Sequence, residues 1–239
     1  QVQECVTVLV ERLIDSKVLY PYRVLGRYYL IAVDGTGMLT FSKPHCPYCL
    51  TKTHNGKTLY YHHVLEAKLV CVNGFAFSVM SEFIENPGGK VTKQDCELKA
   101  LYRLAQRLKQ RFPRLPILLL GDGLFPNGTV FHLCRKYQCG AMITLKEDQL
   151  ASVNEEFNAL CPGASALVYH SGKDHAVTQR FRWVNDIDYV DTKRRHHSVH
   201  VVECIETRNR KEEEPRTTRF KWISLFPFTQ DNVIALCNQ

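Results

Sequence analysis

A strand, helix, strand, helix pattern over residues 117–160 is the feature that most constrains how this chain folds. Ile117–Leu120 is a short all-apolar run closed by Gly121-Asp122-Gly123, which predicts a buried strand ending at a turn. The spacing then predicts a helix over Val130–Tyr137, a strand over Ala141–Leu145 and a helix over Gln149–Leu160. Because a helix that connects two strands favours a parallel crossover, this order predicts an α/β sheet.

The first half of the chain carries antiparallel strand signals. Glu4–Ile14 has helical apolar spacing, and Tyr28–Val33 is an apolar run that predicts a buried strand ending at Asp34. Two further apolar runs are joined by Asn73-Gly74, which is typical of a hairpin. A helix that Thr92 can cap follows, and Phe112-Pro113 ends it.

From Ala164 onward the apolar period changes to two. We expect about four strands there, joined by charged loops: Ala166–Tyr169, Thr178–Val184, Val199–Ile205 and Arg219–Leu225. The whole pattern predicts an α/β protein with a mixed sheet, flanking helices and a β-rich segment near its end.

Composition excludes several classes of protein. The chain has 239 residues, of which 45% are hydrophobic and 23% charged, a balance typical of globular proteins. No apolar run approaches the roughly 18 to 20 residues that cross a bilayer, so a membrane protein is excluded. Residues Gln1–Val10 lack the charged and apolar regions of a secretory signal, and we expect the ten cysteines to be reduced in a cytoplasmic protein. The chain begins with Gln, and we interpret it as a fragment.

Positive charge is concentrated late in the chain. The net charge is +7, and residues 193–221 hold nine basic and five acidic side chains. Such a patch attracts phosphates without reading sequence, although a solvated hairpin face has the same composition. The candidate phosphate contacts are Lys193, Arg194, Arg195, Arg208, Arg210 and Lys211.

Two aspartates occupy equivalent positions, because each follows a short apolar strand and precedes a glycine. Asp34 follows Val33, and Asp122 follows Leu120-Gly121. Carboxylates held at strand ends suit Mg²⁺ (or Mn²⁺) and the phosphoryl transfer that two such ions promote. The alternative is that each aspartate only bonds its own turn.

Five motifs follow one another in a specific order: Ile31-Ala32-Val33-Asp34-Gly35-Thr36-Gly37, His45-Cys46-Pro47-Tyr48-Cys49, Tyr60-Tyr61-His62, Lys93-Gln94-Asp95-Cys96-Glu97 and Leu120-Gly121-Asp122-Gly123-Leu124-Phe125. In this order they resemble the DDE transposases of bacterial insertion sequences. The resemblance implies a ribonuclease-H-like catalytic domain that cuts DNA at transposon ends and joins it to a target. It also implies DNA as partner, a homodimer on DNA, and a bacterial, nucleoid-associated location.

The resemblance also implies site residues. Asp34 matches the first catalytic acid and Asp122 the second, so both are expected to hold Mg²⁺. The subgroup of these transposases that the chain most resembles has a β-rich insertion between the second and the third catalytic acid. The third acid is therefore expected beyond Gln239. Residues alone offer a rival: Glu155 and Glu156 lie on the helix that follows the last strand of the α/β pattern, where an uninterrupted domain carries its final Glu, and Glu156 is the preferred candidate of the two.

The expected organisation has four parts. Residues 1–27 form a helical lead-in, and residues 28–163 form the first part of the catalytic core. Residues 164–225 form the β-rich insertion, and residues 226–239 begin the return to the core. A fragment of this kind is expected to fold without catalysing strand transfer. A non-catalytic DNA-binding or self-associating transposase remnant is the alternative function.

A Cys-x-x-Cys pair suggests a second metal. Cys46 and Cys49, with His62 and Cys96, are the candidate ligands of a structural zinc ion, and reduced cysteines in a hairpin are the alternative. Serine or cysteine hydrolases and P-loop enzymes are disfavoured, because the chain has neither a nucleophile-elbow motif nor a phosphate-binding glycine loop before a helix.

Overall fold

The computed structural model describes residues 2–86, 94–172, 176–209 and 214–238. It divides into two compact units, which we call the N-terminal unit (Gln1–Ile117) and the C-terminal unit (Leu118–Gln239). Each unit combines strands with helices, and the predicted α/β class with a mixed sheet and flanking helices is confirmed.

The N-terminal unit is built around one long strand. Its elements are α1 (Val2–Asp15), β1 (Tyr29–Phe41), β2 (Leu50–His54), β3 (Lys57–Val70), β4 (Ala76–Ile84) and α2 (Glu97–Arg111). β3 pairs antiparallel with β1, β2 and β4. The Asn73-Gly74 hairpin is confirmed, and Gly74 has the positive φ (88°) that favours glycine at such a turn.

Two predictions about this unit are wrong. β1 does not end at Asp34, because Asp34 pairs with Glu66 and the ladder continues to Phe41. An exposed polar residue remains in a strand when its backbone has a partner on the next strand. β2 was not predicted, since its polar residues lack an apolar run, yet its pairing with β3 forms it. The predicted cap Thr92 lies outside the described residues, and α2 begins at Glu97.

The core of the N-terminal unit lies between α2 and the strands. α2 buries Ala100, Leu101, Leu104 and Leu108 along one face, and it packs against β3 and β4. Leu65 of β3 is completely buried. Full burial of one leucine contributes about 1.5 to 3 kcal/mol, so this face fixes α2 on the sheet.

The C-terminal unit contains the predicted crossover. Its elements are β5 (Ile117–Gly121, which starts at the unit boundary), α3 (Gly128–Lys136), β6 (Gly140–Thr144), α4 (Ala151–Leu160), β7 (Ser165–Ser171), β8 (Val177–Val190), β9 (His196–Arg208), β10 (Arg216–Ser224) and α5 (Val233–Cys237). β5 and β6 are parallel, as predicted, and the strands follow the order β5-β6-β10-β9-β8-β7.

The four strands of the β-rich segment form an antiparallel extension of this unit's sheet. β7, β8, β9 and β10 pair in succession, and β10 then pairs antiparallel with β6. The core of this unit includes three large aromatic side chains, each at most 1% exposed: Phe131 of α3, Phe157 of α4 and Phe181 of β8. The boundaries expected for a separate insertion, 164–225, stay a prediction. No helix in the described part of the chain is long and apolar enough to cross a membrane.

Candidate functional site

Asp34 is presented by the rigid strand β1. Ile31 and Val33 are buried and hold the strand, whereas the Asp34 side chain is exposed. Its Oδ1 accepts a hydrogen bond of 2.8 Å from the backbone N–H of Gly35. Oδ2 accepts none from the described residues, so one carboxylate oxygen is available for a ligand.

The backbone behind Asp34 contacts two functional side chains, His63 and Glu97. A Cβ at Gly35 would overlap the Glu97 carboxylate and lie 2.6 Å from His63 Nε2, so any larger residue there requires these side chains to shift. His63 Nε2 and Glu97 Oε1 are 3.3 Å apart, an ion-pair distance without the alignment of a hydrogen bond. Sequence reasoning assigned neither residue to the site of Asp34: His63 was considered only as a histidine near the Cys46/Cys49 pair, and Glu97 only as the end of one of the five motifs.

These two side chains lie on the opposite side of β1 from Asp34. Successive residues of a strand point to opposite faces, and Asp34 directly precedes Gly35 in β1. His63 and Glu97 therefore contact β1 from the face opposite to the Asp34 side chain, and they are not additional ligands on the face of Asp34.

Asp122 follows β5 in the C-terminal unit and organises a turn. Its Oδ1 accepts from the backbone N–H of Leu124 at 2.9 Å, and its carbonyl accepts from Phe125 N at 3.2 Å. This is the turn geometry that sequence reasoning gave as the alternative to a metal ligand. The side chain is nevertheless exposed, and Oδ2 accepts no hydrogen bond from any residue that the structure describes.

Lys146 is a cation beside this turn that sequence reasoning missed. A Cβ at Gly123 would lie 2.6 Å from Lys146 Cε, so the lysine stem packs on the residue after Asp122. Gln149 supports the arrangement: its Nε2 donates to the Gly123 carbonyl, and its Oε1 accepts from Lys146 N at 3.1 Å. The parallel strands β5 and β6 end at the same edge. The available signal was that Lys146 is the first charged residue after β6, as Asp122 is after β5.

The third acid stays a prediction. Glu156, the rival candidate, lies on the exposed face of α4, because Val153, Asn154 and Phe157 turn the other face inward. In the described ranges, the one group of three close metal-ligating side chains is elsewhere, at Cys46, Cys49 and His62.

The predicted basic patch has fewer cations available for phosphate than its composition suggests. Arg195 pairs with Asp191 at 2.6 Å, and Arg208 pairs with Glu206 at 2.6 Å. Lys221, counted in the same charge cluster, is buried and pairs with Glu147 at 2.7 Å. All three cations are paired with acidic side chains, and this pairing reduces their availability to phosphate.

Lys193 and Arg194 keep the properties expected of phosphate contacts. Both are exposed in the turn between β8 and β9, and neither has an ion pair within the described residues. Asp191 shapes this turn by accepting from Lys193 N at 2.8 Å and from Arg195 N at 2.9 Å. Arg210 and Lys211 lie outside the described residues.

Asp191 is held in its charged form. Burial alone would raise the pKa of its carboxyl, but hydrogen bonds from Arg195 and His197 outweigh burial and keep that pKa well below its usual range. The side chain of His197 is also buried, and its Nε2 lies 3.0 Å from Asp191 Oδ2. The turn that presents Lys193 and Arg194 is thus built on a buried charged network.

Cys46, Cys49 and His62 form a compact group in the N-terminal unit. Burial favours the neutral thiol of Cys49, yet hydrogen bonds from the backbone of His45 and Cys46 lower its pKa overall. The expectation that Cys96 joins this group is wrong. Cys96 is exposed before α2, and its neighbour Glu97 contacts His63 on the opposite face of β3 from His62.

Comparison with known proteins gives a structural likeness. No protein-family model matches the chain, and no curated protein matches its sequence. The structure is similar to a piggyBac transposase seen by cryo-electron microscopy in a synaptic complex with hairpin DNA. That similarity has a TM-score of 0.40 at 8% identity and covers 86% of this chain. The chain spans 36% of the length of that transposase chain.

Proposed function

We propose that this chain carries the catalytic acids of a DDE transposase of the bacterial insertion-sequence type, within a ribonuclease-H-like domain. The reaction is metal-dependent cleavage of DNA at transposon ends, followed by strand transfer. The observation that supports this most is a lysine beside an exposed aspartate at one sheet edge: the stem of Lys146 packs on Gly123, directly after Asp122.

The two acids have the chemistry that Mg²⁺ prefers, because each offers a carboxylate oxygen without a hydrogen-bond partner in the described part of the chain. Asp34 and Asp122 would hold the metal. When bound, magnesium would supply charge neutralisation for the phosphodiester and for its attacking and leaving oxygens. The oxygen donors of both residues fit such a hard cation, and the thiol cluster does not.

The chain's own residues then have separate tasks. Asp34 is kept in position by β1, which His63 and Glu97 contact from behind at Gly35. Lys146 is exposed and attracts the phosphate towards Asp122. Lys193 and Arg194 contact the DNA backbone without reading bases, and their contribution to the binding free energy is electrostatic.

The partner that follows from this function is DNA, both as transposon end and as target. A homodimer on DNA and a bacterial, nucleoid-associated location belong to the same proposal. The third acid is assigned to sequence beyond Gln239, with Glu156 as the rival, and strand transfer needs that acid.

Metal binding and nicking by the purified chain test the proposal. Mn²⁺ binding is measured by the loss of the electron paramagnetic resonance signal of the free ion. Nicking is measured by the conversion of supercoiled DNA to its relaxed form. Asp34→Asn and Asp122→Asn should each weaken Mn²⁺ binding at least tenfold, whereas Asp15→Asn, an exposed control at the end of α1, should not. Equal Mn²⁺ affinity in wild type and both variants would refute the assignment. DNA binding without Mn²⁺ binding would favour the non-catalytic remnant.

Nicking identifies the third acid. If Glu156 is that acid, the chain nicks DNA with Mn²⁺, and Glu156→Gln abolishes nicking while Glu155→Gln, its exposed neighbour on α4, does not. If the acid lies beyond Gln239, Mn²⁺ binds without nicking. Both measurements use one preparation, so metal binding serves as the control for folding.

A further inference from the structure

Three donor atoms meet on one face of the N-terminal unit. Cys46 Sγ lies 3.7 Å from Cys49 Sγ and 3.4 Å from His62 Nε2, and Cys49 Sγ lies 3.6 Å from the same nitrogen. Among the described residues, no other group of three His, Cys, Asp or Glu side chains has its donor atoms within 4.8 Å of one another. The three atoms therefore form a nearly regular triangle.

The triangle has the dimensions of one face of a zinc tetrahedron. With Zn–S bonds of about 2.3 Å and Zn–N bonds of about 2.0 to 2.1 Å, tetrahedral angles separate two sulfurs by about 3.8 Å and sulfur from nitrogen by about 3.6 Å. The observed separations agree with these values to about 0.2 Å. Such donors suit a soft or borderline ion and do not suit magnesium.

The fold brings these donors together by strand register. Leu50 of β2 pairs with Tyr61 of β3, so the preceding Cys49 lies beside His62. Cys49 N approaches the Cys46 carbonyl at 3.5 Å, and this turn returns the first thiol to the second. The Cys49 carbonyl accepts from Asn86 Nδ2 at 3.0 Å, which fixes the end of the turn.

An aromatic group encloses the histidine ligand. The Phe41 ring meets the His62 ring edge-on, with centroids 6.4 Å apart, and the His45 ring stacks on Phe41. Apolar neighbours limit the access of solvent to a metal and lower the local dielectric. Phe41 therefore gives the His62 donor a partly apolar surrounding.

We propose that Cys46, Cys49 and His62 bind a zinc ion, and that the bound ion links the 46–49 turn to β3. Its three ligands are different from the residues proposed to hold Mg²⁺. Its role is structural: it fixes the strand whose next residue, His63, contacts Gly35 behind Asp34. Zinc bound to the folded chain also adds its binding free energy to the stability of the N-terminal unit.

The test is metal analysis of the purified reduced chain. The chain is loaded with Zn²⁺ or Co²⁺, dialysed without chelator and assayed by elemental analysis and visible absorption. We expect one equivalent of zinc, and intense Co²⁺ bands typical of tetrahedral thiolate coordination. Cys46→Ser, Cys49→Ser and His62→Gln should each lower zinc affinity by at least tenfold.

Matched variants keep the test decisive. Cys96→Ser and Cys5→Ser remove exposed thiols outside the group and should leave zinc affinity unchanged. His62→Cys should retain zinc, because it replaces one zinc donor with another, and circular dichroism checks that each variant is folded. A reduced, folded wild-type chain that retains no zinc, or Co²⁺ bands that lack thiolate character, would overturn the proposal. Loss of zinc in Cys96→Ser would overturn the assignment of its ligands.

Discussion

His62 and His63 are consecutive on β3, and their side chains serve two different clusters on opposite faces of that strand. His62 Nε2 lies 3.4 Å from Cys46 Sγ, whereas His63 Nε2 lies 3.3 Å from Glu97 Oε1. One dipeptide therefore connects the proposed zinc ligands with the residues behind Asp34. Substitutions on each face should have separable effects, because they disturb different neighbours.

Gly35→Ala should destabilise the N-terminal unit and weaken metal binding at Asp34. The new methyl group would overlap the Glu97 carboxylate and lie 2.6 Å from His63 Nε2, so both side chains must move. Overpacking of this kind costs about 1 to 3 kcal/mol, which urea unfolding can measure. Gly37→Ala in the same strand is the control, since a Cβ there meets nothing within 4 Å. Equal stability of the two variants would contradict the contact.

Lys146→Met should lower DNA affinity with little loss of stability, because its charged end is exposed and its stem packs on Gly123. Gly123→Ala should have a similar but smaller effect, since the lysine stem is flexible and can move aside. Fluorescence anisotropy with a labelled duplex measures the affinity. Gly163→Ala, where a Cβ has open space, is the matched control in the same unit. Unchanged DNA affinity in Lys146→Met would remove Lys146 from the proposed site.

The Lys193→Ala/Arg194→Ala double variant should weaken binding to all DNA sequences and reduce the salt dependence of that binding. Removal of one phosphate-binding cation should reduce the slope of log K against log salt by about 0.9 for duplex DNA. Affinity is measured at several salt concentrations with two unrelated duplexes. A changed sequence preference at constant slope would contradict phosphate binding by these two residues.

Arg195→Ala should instead lower stability, although it neighbours Arg194. Its guanidinium pairs with the buried carboxylate of Asp191, and its removal leaves that buried charge with fewer partners, namely His197 and two backbone N–H groups. Thermal unfolding distinguishes the two variants: the double variant should retain the wild-type midpoint, and Arg195→Ala should not. Equal midpoints for all three proteins would show that the ion pair contributes nothing.

Acidification should destabilise the C-terminal unit through His200. Burial lowers the pKa of His200, the nearby Arg135 lowers it further, and Asp186 opposes the shift. Its Nδ1 accepts from the backbone N–H of Asp186 at 3.1 Å, so protonation of that nitrogen would break the bond. The unfolded chain binds the proton more tightly than the folded chain, and stability therefore falls as pH drops below about 6.5 towards the folded pKa.

The control for this prediction is His200→Asn, which can accept the same hydrogen bond but does not titrate. Urea unfolding between pH 7.5 and 5 measures the slope of stability against pH. The slope should be smaller in the variant than in the wild type. An identical slope in both proteins would assign the acid sensitivity to other groups.

The sequence predicted the local elements well, because their signals are local. The β5-α3-β6-α4 order and the Asn73-Gly74 hairpin depend on apolar spacing and turn residues within each segment. The extension of β1 beyond Asp34 and the whole of β2 depend on pairing with β3, which apolar patterns do not reveal. Long-range pairing thus accounts for the errors in the N-terminal unit.

In the candidate site, too, the sequence revealed the residues with local signals and not those that depend on long-range contacts. Asp34, Asp122 and the trio Cys46, Cys49 and His62 could be selected by residue type and spacing. Glu97 and Lys146 could not be assigned, since each acts by packing on a glycine distant in sequence. The basic patch was overestimated, because composition counts charges but does not show that Arg195 and Arg208 pair with acids.

The pairing of β10 with β6 has a consequence for the order in which this chain folds during synthesis. β6 leaves the ribosome well before β10, and α4 and β7 to β9 must be translated between them. At a translation rate of about 5 to 20 residues per second, one edge of β6 remains unpaired for several seconds until β10 is synthesised. The backbone of Met142 and Ile143 lacks its β10 partner during that interval, so we expect a chain truncated before Arg216 to be prone to edge-to-edge aggregation.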